Sequence, residues 1–163
     1  MMNQDQVLAK SAQSVQQTLA KKGLPFKVIE LSQSTRTAND AASAIGCEVG
    51  QIVKSLIFKI KESHRPVLIL ASGPNRVNEK VIEAHLGEKM TKADADFTRQ
   101  MTGFAIGGIP PVAHKEPIDL IFIDEDLLNF EEVWAAAGTP NAVFKLKGKD
   151  LIEMTKGKVI SIK

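Results

Sequence analysis

The 163 residues predict a single α/β domain, and three observations carry that prediction. Segments with helical spacing alternate with β-branched apolar runs along the chain. Hydrophobic residues make up 44% and charged residues 25% of the sequence, which is ordinary for a chain with a sizeable core. No repeat, low-complexity tract or long Ser/Gly/Pro linker divides the sequence, so one domain over 1–163 is expected.

From Gln4 to Lys22, Val7, Leu8, Val15 and Leu19 recur at helical spacing, and Gly23 with Pro25 predicts the helix end. "FKVIEL" reads as a short strand. "STRTANDAASAIG" follows with Thr37 as N-cap, Asp40 in the first turn and Gly46 as stop. In "IVKSLIFKIKESHRPVLILASG" two apolar runs flank a charged turn, the pattern of a hairpin at the centre of a sheet. "NRVNEKVIEAHLG" sets Val77, Val81, Ile82 and Leu86 on one helical face before Gly87, and "DADFTRQM" predicts a shorter helix. Both helices would cover the sheet. The remainder reads as strand "IDLIFID", helix "LNFEEVWAAAG", strand "NAVFKLKG", helix "KDLIEMT" and strand "VISI".

Composition narrows the function classes. A formal net charge of +2 does not force a nucleic-acid partner but leaves room for a local basic patch. The single cysteine, Cys47, excludes an internal disulfide framework, and "MMNQDQVLAK" lacks the apolar centre of a signal peptide, so a cytoplasmic protein is expected. No apolar run approaches the roughly 20 residues a bilayer requires, and a membrane partner is not expected. The sequence has no P-loop, no dinucleotide-binding glycine fingerprint, no G-x-S-x-G elbow and no close Cys or His pair, so neither a metal nor a cofactor is expected.

Two features stand out. "TGFAIGGIPPVAH" combines Gly103, Gly107 and Gly108 with Pro110 and Pro111. Glycine opens backbone angles closed to other residues, and proline holds φ at about −65° without donating a hydrogen bond. Such a stiff loop of bare backbone either ends a strand or holds a ligand closely. Lys54 places a cation at the start of an apolar strand, where its stem either snorkels to water or fixes a positive charge facing a phosphate or carboxylate. Lys59, Lys61, Arg65 and Arg76 either extend a basic rim or form an ordinary solvated surface. His64 lies in a polar turn and His85 near a helix end, positions of solvated or capping histidines; His114 closes the glycine-proline loop. Cys47 has no basic neighbour and reads as an inert thiol. Aromatic residues are only 5% of the chain, too few for an extended base-stacking platform.

The ordered set "STRTANDAASAIGCEVGQIVKSLIF", "PVLILASG", "TGFAIGGIPPVAH" and "AGTPNAVFKLKGKDLIEMT" resembles the YbaK/EbsC family, editing proteins related to the insertion domain of bacterial prolyl-tRNA synthetase. The resemblance implies a single α/β domain whose mixed, curved, partly barrel-like sheet is flanked by helices. It implies hydrolysis of the ester joining a wrong amino acid to the terminal adenosine of a tRNA, commonly tRNA(Pro). The partners implied are the aminoacyl-tRNA acceptor end and prolyl-tRNA synthetase. The family's lysine falls on Lys54 and its GxxxP loop on Gly107 to Pro111, read here as G-G-I-P-P. Lys54 would hold the acceptor-end phosphates, with Gly107 and Gly108 turning backbone N–H groups toward the aminoacyl carbonyl. Gly103, Ile109, Pro110, Pro111, His114, Gly138 and Thr139 complete the expected substrate-binding set. An activated ester needs little more than a positioned water and a stabilised oxyanion, so the absence of a visible triad is compatible with this chemistry. The resemblance also allows a non-catalytic tRNA- or nucleotide-binding module, and hydrolysis of another small ester or thioester. Asp94, Asp96 and Asp119 are expected to be caps or surface groups.

Overall fold

The computed structural model describes residues 8–163. Helix α1, Lys10–Lys21, buries Ala12, Val15 and Leu19, as the spacing predicts; residues 4–7 of the expected helix lie outside the described residues. Strand β1, Ile29–Glu30, is shorter than the apolar run that predicts it. Helix α2, Ala38–Ile45, starts where Thr37 Oγ1 accepts the Asp40 N–H at 3.0 Å, and stops at Gly46 with φ of 84°.

Strands β2, Ile52–Ile60, and β3, Pro66–Ser72, form the expected antiparallel hairpin. Helix α3, Glu79–Leu86, is capped by Asn78 and ends at Gly87. Strand β4, Met90–Lys92, is too short to leave a periodic signal in the sequence. Helix α4, Ala95–Thr102, is capped by Asp94 and ends at Gly103; strand β5, Leu120–Asp124, follows the glycine-proline loop.

The segment "LNFEEVWAAAG" corrects the reading of a helix. A short 3-10 turn, Glu125–Asn129, is followed by strand β6, Val133–Ala136. Val133, Ala135 and Ala137 are buried while Trp134 and Ala136 are half-buried, a period of two that alanine on both faces conceals. Alanine favours helix in isolation, and pairing between two neighbouring strands overrides that preference. Strand β7, Ala142–Leu146, helix α5, Gly148–Thr155, and strand β8, Lys158–Ile160, complete the order.

The sheet runs β1-β7-β6-β2-β3-β5-β8, with β4 paired to β2 off this path. It is mixed and open: β2·β6, β3·β5 and β5·β8 are parallel and the other pairs antiparallel. One face carries Val53, Ile57, Leu70 and Phe144 under α1, α5 and the glycine-proline loop, while Phe58, Ile60 and Ile69 on the other pack with Ile82 of α3. Among the described residues no helix is long and apolar enough to cross a membrane.

One irregularity positions the site. Alternate residues of a strand direct their backbone groups to opposite edges. Ile60 faces β3, donating its N–H to Arg65 O, whereas Lys61 and Ile57 face the other edge through Lys89 O and the Ala93 N–H. That other edge is shared. Ile52 and Val53 pair with β6, residues 58–60 pair with β4, and residues 54–56 between them, paired with β3 on the opposite edge, have no strand partner on this one among the described residues. The sheet therefore forks at Lys54 and Ser55.

Candidate functional site

A cavity of about 300 Å³ fills the fork. Its walls are mainly apolar, including Ile52, Val53, Leu56, Ile109, Ala135 and Val143, and its rim carries Arg36 and Lys54. A second cavity of about 630 Å³ shares Lys54, Ser55, Leu56, Ile106 and Ile109 with the first and extends to Asn75, Arg76 and Lys92. Among the described residues no carboxylate, imidazole or thiol lines the smaller cavity. Ser55 lines both, and its Oγ is buried without a hydrogen-bond partner among the described residues. Ile106, at the tip of the glycine-proline loop, is 55% exposed, an apolar side chain held over both openings.

Lys54 is half-buried, and its Nζ donates to Asn75 O at 2.7 Å. Burial and the neighbouring Arg76 guanidinium push its ammonium below the ordinary lysine range, against a smaller opposing pull from Asp124. Arg36 and Arg76 are exposed beside it. The local basic patch that the sequence permits thus combines Arg36, Lys54 and Arg76 from three separate segments, with Lys92 on the wall of the larger cavity.

The structure separates the expected site residues into two groups. Lys54, Gly107 and Ile109 line the smaller cavity. Gly107 has φ of 101°, its N–H is unpaired among the described residues, and Arg36 packs against it so closely that a Cβ there would lie 2.8 Å from Arg36 Cγ. Gly108, Gly138 and Thr139 instead form the loop's backing. The Gly108 N–H donates to Ala105 O at 3.1 Å, Gly108 O accepts the Gly138 N–H at 2.8 Å, and Thr139 Oγ1 bonds Asn141 Oδ1 at 3.0 Å. The Gly108 N–H is therefore already engaged. Pro110 and Pro111 are buried beneath the loop and away from both cavities. Gly103 is the exposed C-cap of α4, with φ of 81°. Cys47 lies off the site, and burial pushes its thiol up.

His114 is a tie within the loop, its Nε2 bonded to Pro110 O at 2.8 Å. Burial pushes the imidazole below its ordinary value of 6.5, opposed by that hydrogen bond. Between the depressed folded value and 6.5 the unfolded chain binds a proton that the folded chain does not. Stability is therefore full above 6.5 and falls as the pH drops through that window. Denaturant midpoints measured at successive pH values should decline below pH 6.5 in the native chain, and His114→Gln should remove that part of the decline. Identical pH profiles for the two proteins would exclude the tie.

Sequence reasoning missed Thr35, Arg36, Ser55, Asn75 and Trp134, which all line one or both cavities. Arg36 sits inside a stretch read for its capping signal, and Ser55 and Asn75 carried none.

The model of the aminoacyl-tRNA editing domain family matches residues 32–154. The uncharacterized protein YwhH of Bacillus subtilis (strain 168) is 31% identical over 134 residues, spanning 81% of this chain and 83% of that protein. The proline--tRNA ligase of Limosilactobacillus fermentum is 33% identical over 89 residues, 52% of this chain but only 16% of the ligase. A crystal structure of a proposed trans-editing enzyme for prolyl tRNA synthetase superposes with a TM-score of 0.90 at 45% identity, over 96% of this chain and 99% of that one.

Proposed function

Since the chain belongs to the aminoacyl-tRNA editing domain family, we propose that it hydrolyses the ester of a mischarged aminoacyl-tRNA, acting in trans in the cytoplasm on tRNA(Pro) that carries a small wrong amino acid. The observation that carries this reading is the fork in β2, where a small apolar cavity rimmed by Arg36 and Lys54 opens beside a glycine N–H unpaired among the described residues, with Arg76 on the adjoining larger cavity. The aminoacyl group enters the smaller cavity. Lys54, Arg36 and Arg76 hold the phosphates of the single-stranded acceptor end, and the Gly107 N–H donates to the ester carbonyl as negative charge develops there. With no carboxylate, imidazole or thiol among the described residues on that cavity's wall, the enzyme acts by positioning, and the vicinal ribose hydroxyl of the substrate assists the attacking water.

A second hydrolytic site of this kind has a physical purpose. A synthetase pocket discriminates by only about 1–3 kcal/mol per methylene, too little to exclude a smaller amino acid.

The test is release of labelled amino acid from tRNA(Pro) charged with alanine, cysteine, serine, threonine or proline. One mischarged species should be hydrolysed well above its spontaneous rate, and prolyl-tRNA(Pro) should be spared. Salt-sensitive tRNA binding with no release from any species would establish a binding module instead.

A further inference from the structure

Asp124, the last residue of β5, is 0% exposed, and the proposed reaction makes no direct use of it. Its Oδ2 accepts the Ser72 N–H at 3.0 Å and Asn75 Nδ2 at 2.8 Å, while its Oδ1 accepts the Asp126 N–H at 3.0 Å. The second amide hydrogen of Asn75 goes to Asp126 Oδ2 at 2.7 Å, and Asp126 is paired with Lys163 at 3.0 Å. Two carboxylates facing one amide need two donors, so the Asn75 side chain has a single workable orientation. The Asn75 N–H closes the turn onto Ser72 O at 2.9 Å. That turn delivers the Asn75 carbonyl to Lys54 Nζ and is followed at once by Arg76 on the cavity rim.

We propose that Asp124 is a positioning residue for Lys54: by clamping the side-chain amide of Asn75 it fixes the turn whose carbonyl holds the Lys54 ammonium at the cavity mouth. The proposal rests on the reading that Lys54 meets the acceptor-end phosphates. A carboxylate suits the task because three N–H groups converge on it, and hydrogen bonds to a charged acceptor are stronger than neutral ones. An asparagine at 124 would turn its own NH2 toward one or more of those donors. The clamp also brings a negative charge near an ammonium that burial and Arg76 disfavour.

A double-mutant cycle with an independent spectroscopic readout tests the proposal. Asp124→Asn should lower kcat/KM for mischarged tRNA about 10-fold, mainly through KM, and should add little to Lys54→Ala. Asn75→Ala, which keeps the backbone carbonyl but removes the clamped amide, should reproduce that non-additivity if Asp124→Asn does not fold. In the tRNA-free protein, NMR titration of the labelled Lys54 side chain should move to lower pH in Asp124→Asn, because burial and Arg76 remain while the opposing charge is gone. Equal losses in both backgrounds, or an unmoved Lys54 titration in a folded Asp124→Asn protein, would overturn the assignment. If the native chain deacylates nothing, the functional reading fails, while the Lys54 titration still decides whether Asp124 governs Lys54.

Discussion

Lys54→Ala is expected to weaken binding of aminoacyl-tRNA by about 10- to 100-fold, the worth of one charge-assisted contact to phosphate, with the fold intact. The fold should tolerate the change because burial and Arg76 already disfavour the ammonium, and its protein partner is one backbone carbonyl on a turn held by Asp124. Two further signatures distinguish loss of a phosphate contact from general damage. The slope of log affinity against log salt should become shallower by about 0.7, the value for one contact to a single strand. The native chain's affinity should also fall with rising pH sooner than an ordinary lysine would allow, since the Lys54 ammonium loses its proton at a lowered pH. Filter-binding titrations over salt and pH provide both readings. Native affinity and slope in the folded variant would remove Lys54 from the phosphates.

The second large effect separates the paired glycines. Gly108→Ala should destabilise the chain by about 1–3 kcal/mol, because its Cβ would lie 2.9 Å from Thr139 N and 3.0 Å from Thr139 C and Cα, backbone atoms that cannot swing aside. For a chain of this size each kcal/mol lowers Tm by about 2–4 °C. Gly107→Ala meets a flexible neighbour, Arg36, and the Cβ is accommodated by moving that side chain. Its cost is a backbone strain of about 1–2 kcal/mol at positive φ, together with displacement of a rim cation and of the unpaired N–H. Gly107→Ala should therefore lose more in kcat than Gly108→Ala does at a temperature where both are folded, while Gly108→Ala loses more in Tm. The family resemblance implies one role for both glycines at the aminoacyl carbonyl; the close approach of Gly108 to Thr139 sets Gly108 apart as a packing position. Unfolding scans run beside deacylation assays compare the two directly, and equal Tm losses would remove the distinction.

The site was legible in the sequence to the extent that its residues carried a local signal. Lys54 was visible as a cation opening an apolar strand, and Gly107 as part of a loop with unusual backbone. Both line the cavity, with Ile109 beside them. Gly138 and Thr139 enter the expected substrate-binding set only through the family resemblance; in the structure they back Gly108 and do not line the smaller cavity. Gly103 carries an ordinary helix-stop signal and serves as one.

Elements whose chemistry is complete within three or four residues can be read directly from the chain. Thr37 bonds the Asp40 N–H, Asp94 bonds the Phe97 N–H, and Gly46 and Gly87 take the left-handed angles that end their helices. The β2–β3 hairpin is legible for a related reason, two apolar runs joined by a short charged turn. The remaining features depend on partners far along the chain. Val133–Ala136 became a strand because β2 and β7 offer hydrogen-bonding edges on either side. β2 forks because β6 and β4 divide one of its edges, and Asn75 finds its clamp 49 residues away at Asp124. The reason is physical: a cap is satisfied by backbone already at hand, whereas a strand edge, a cavity wall or a buried carboxylate has its partners only once distant segments have packed together.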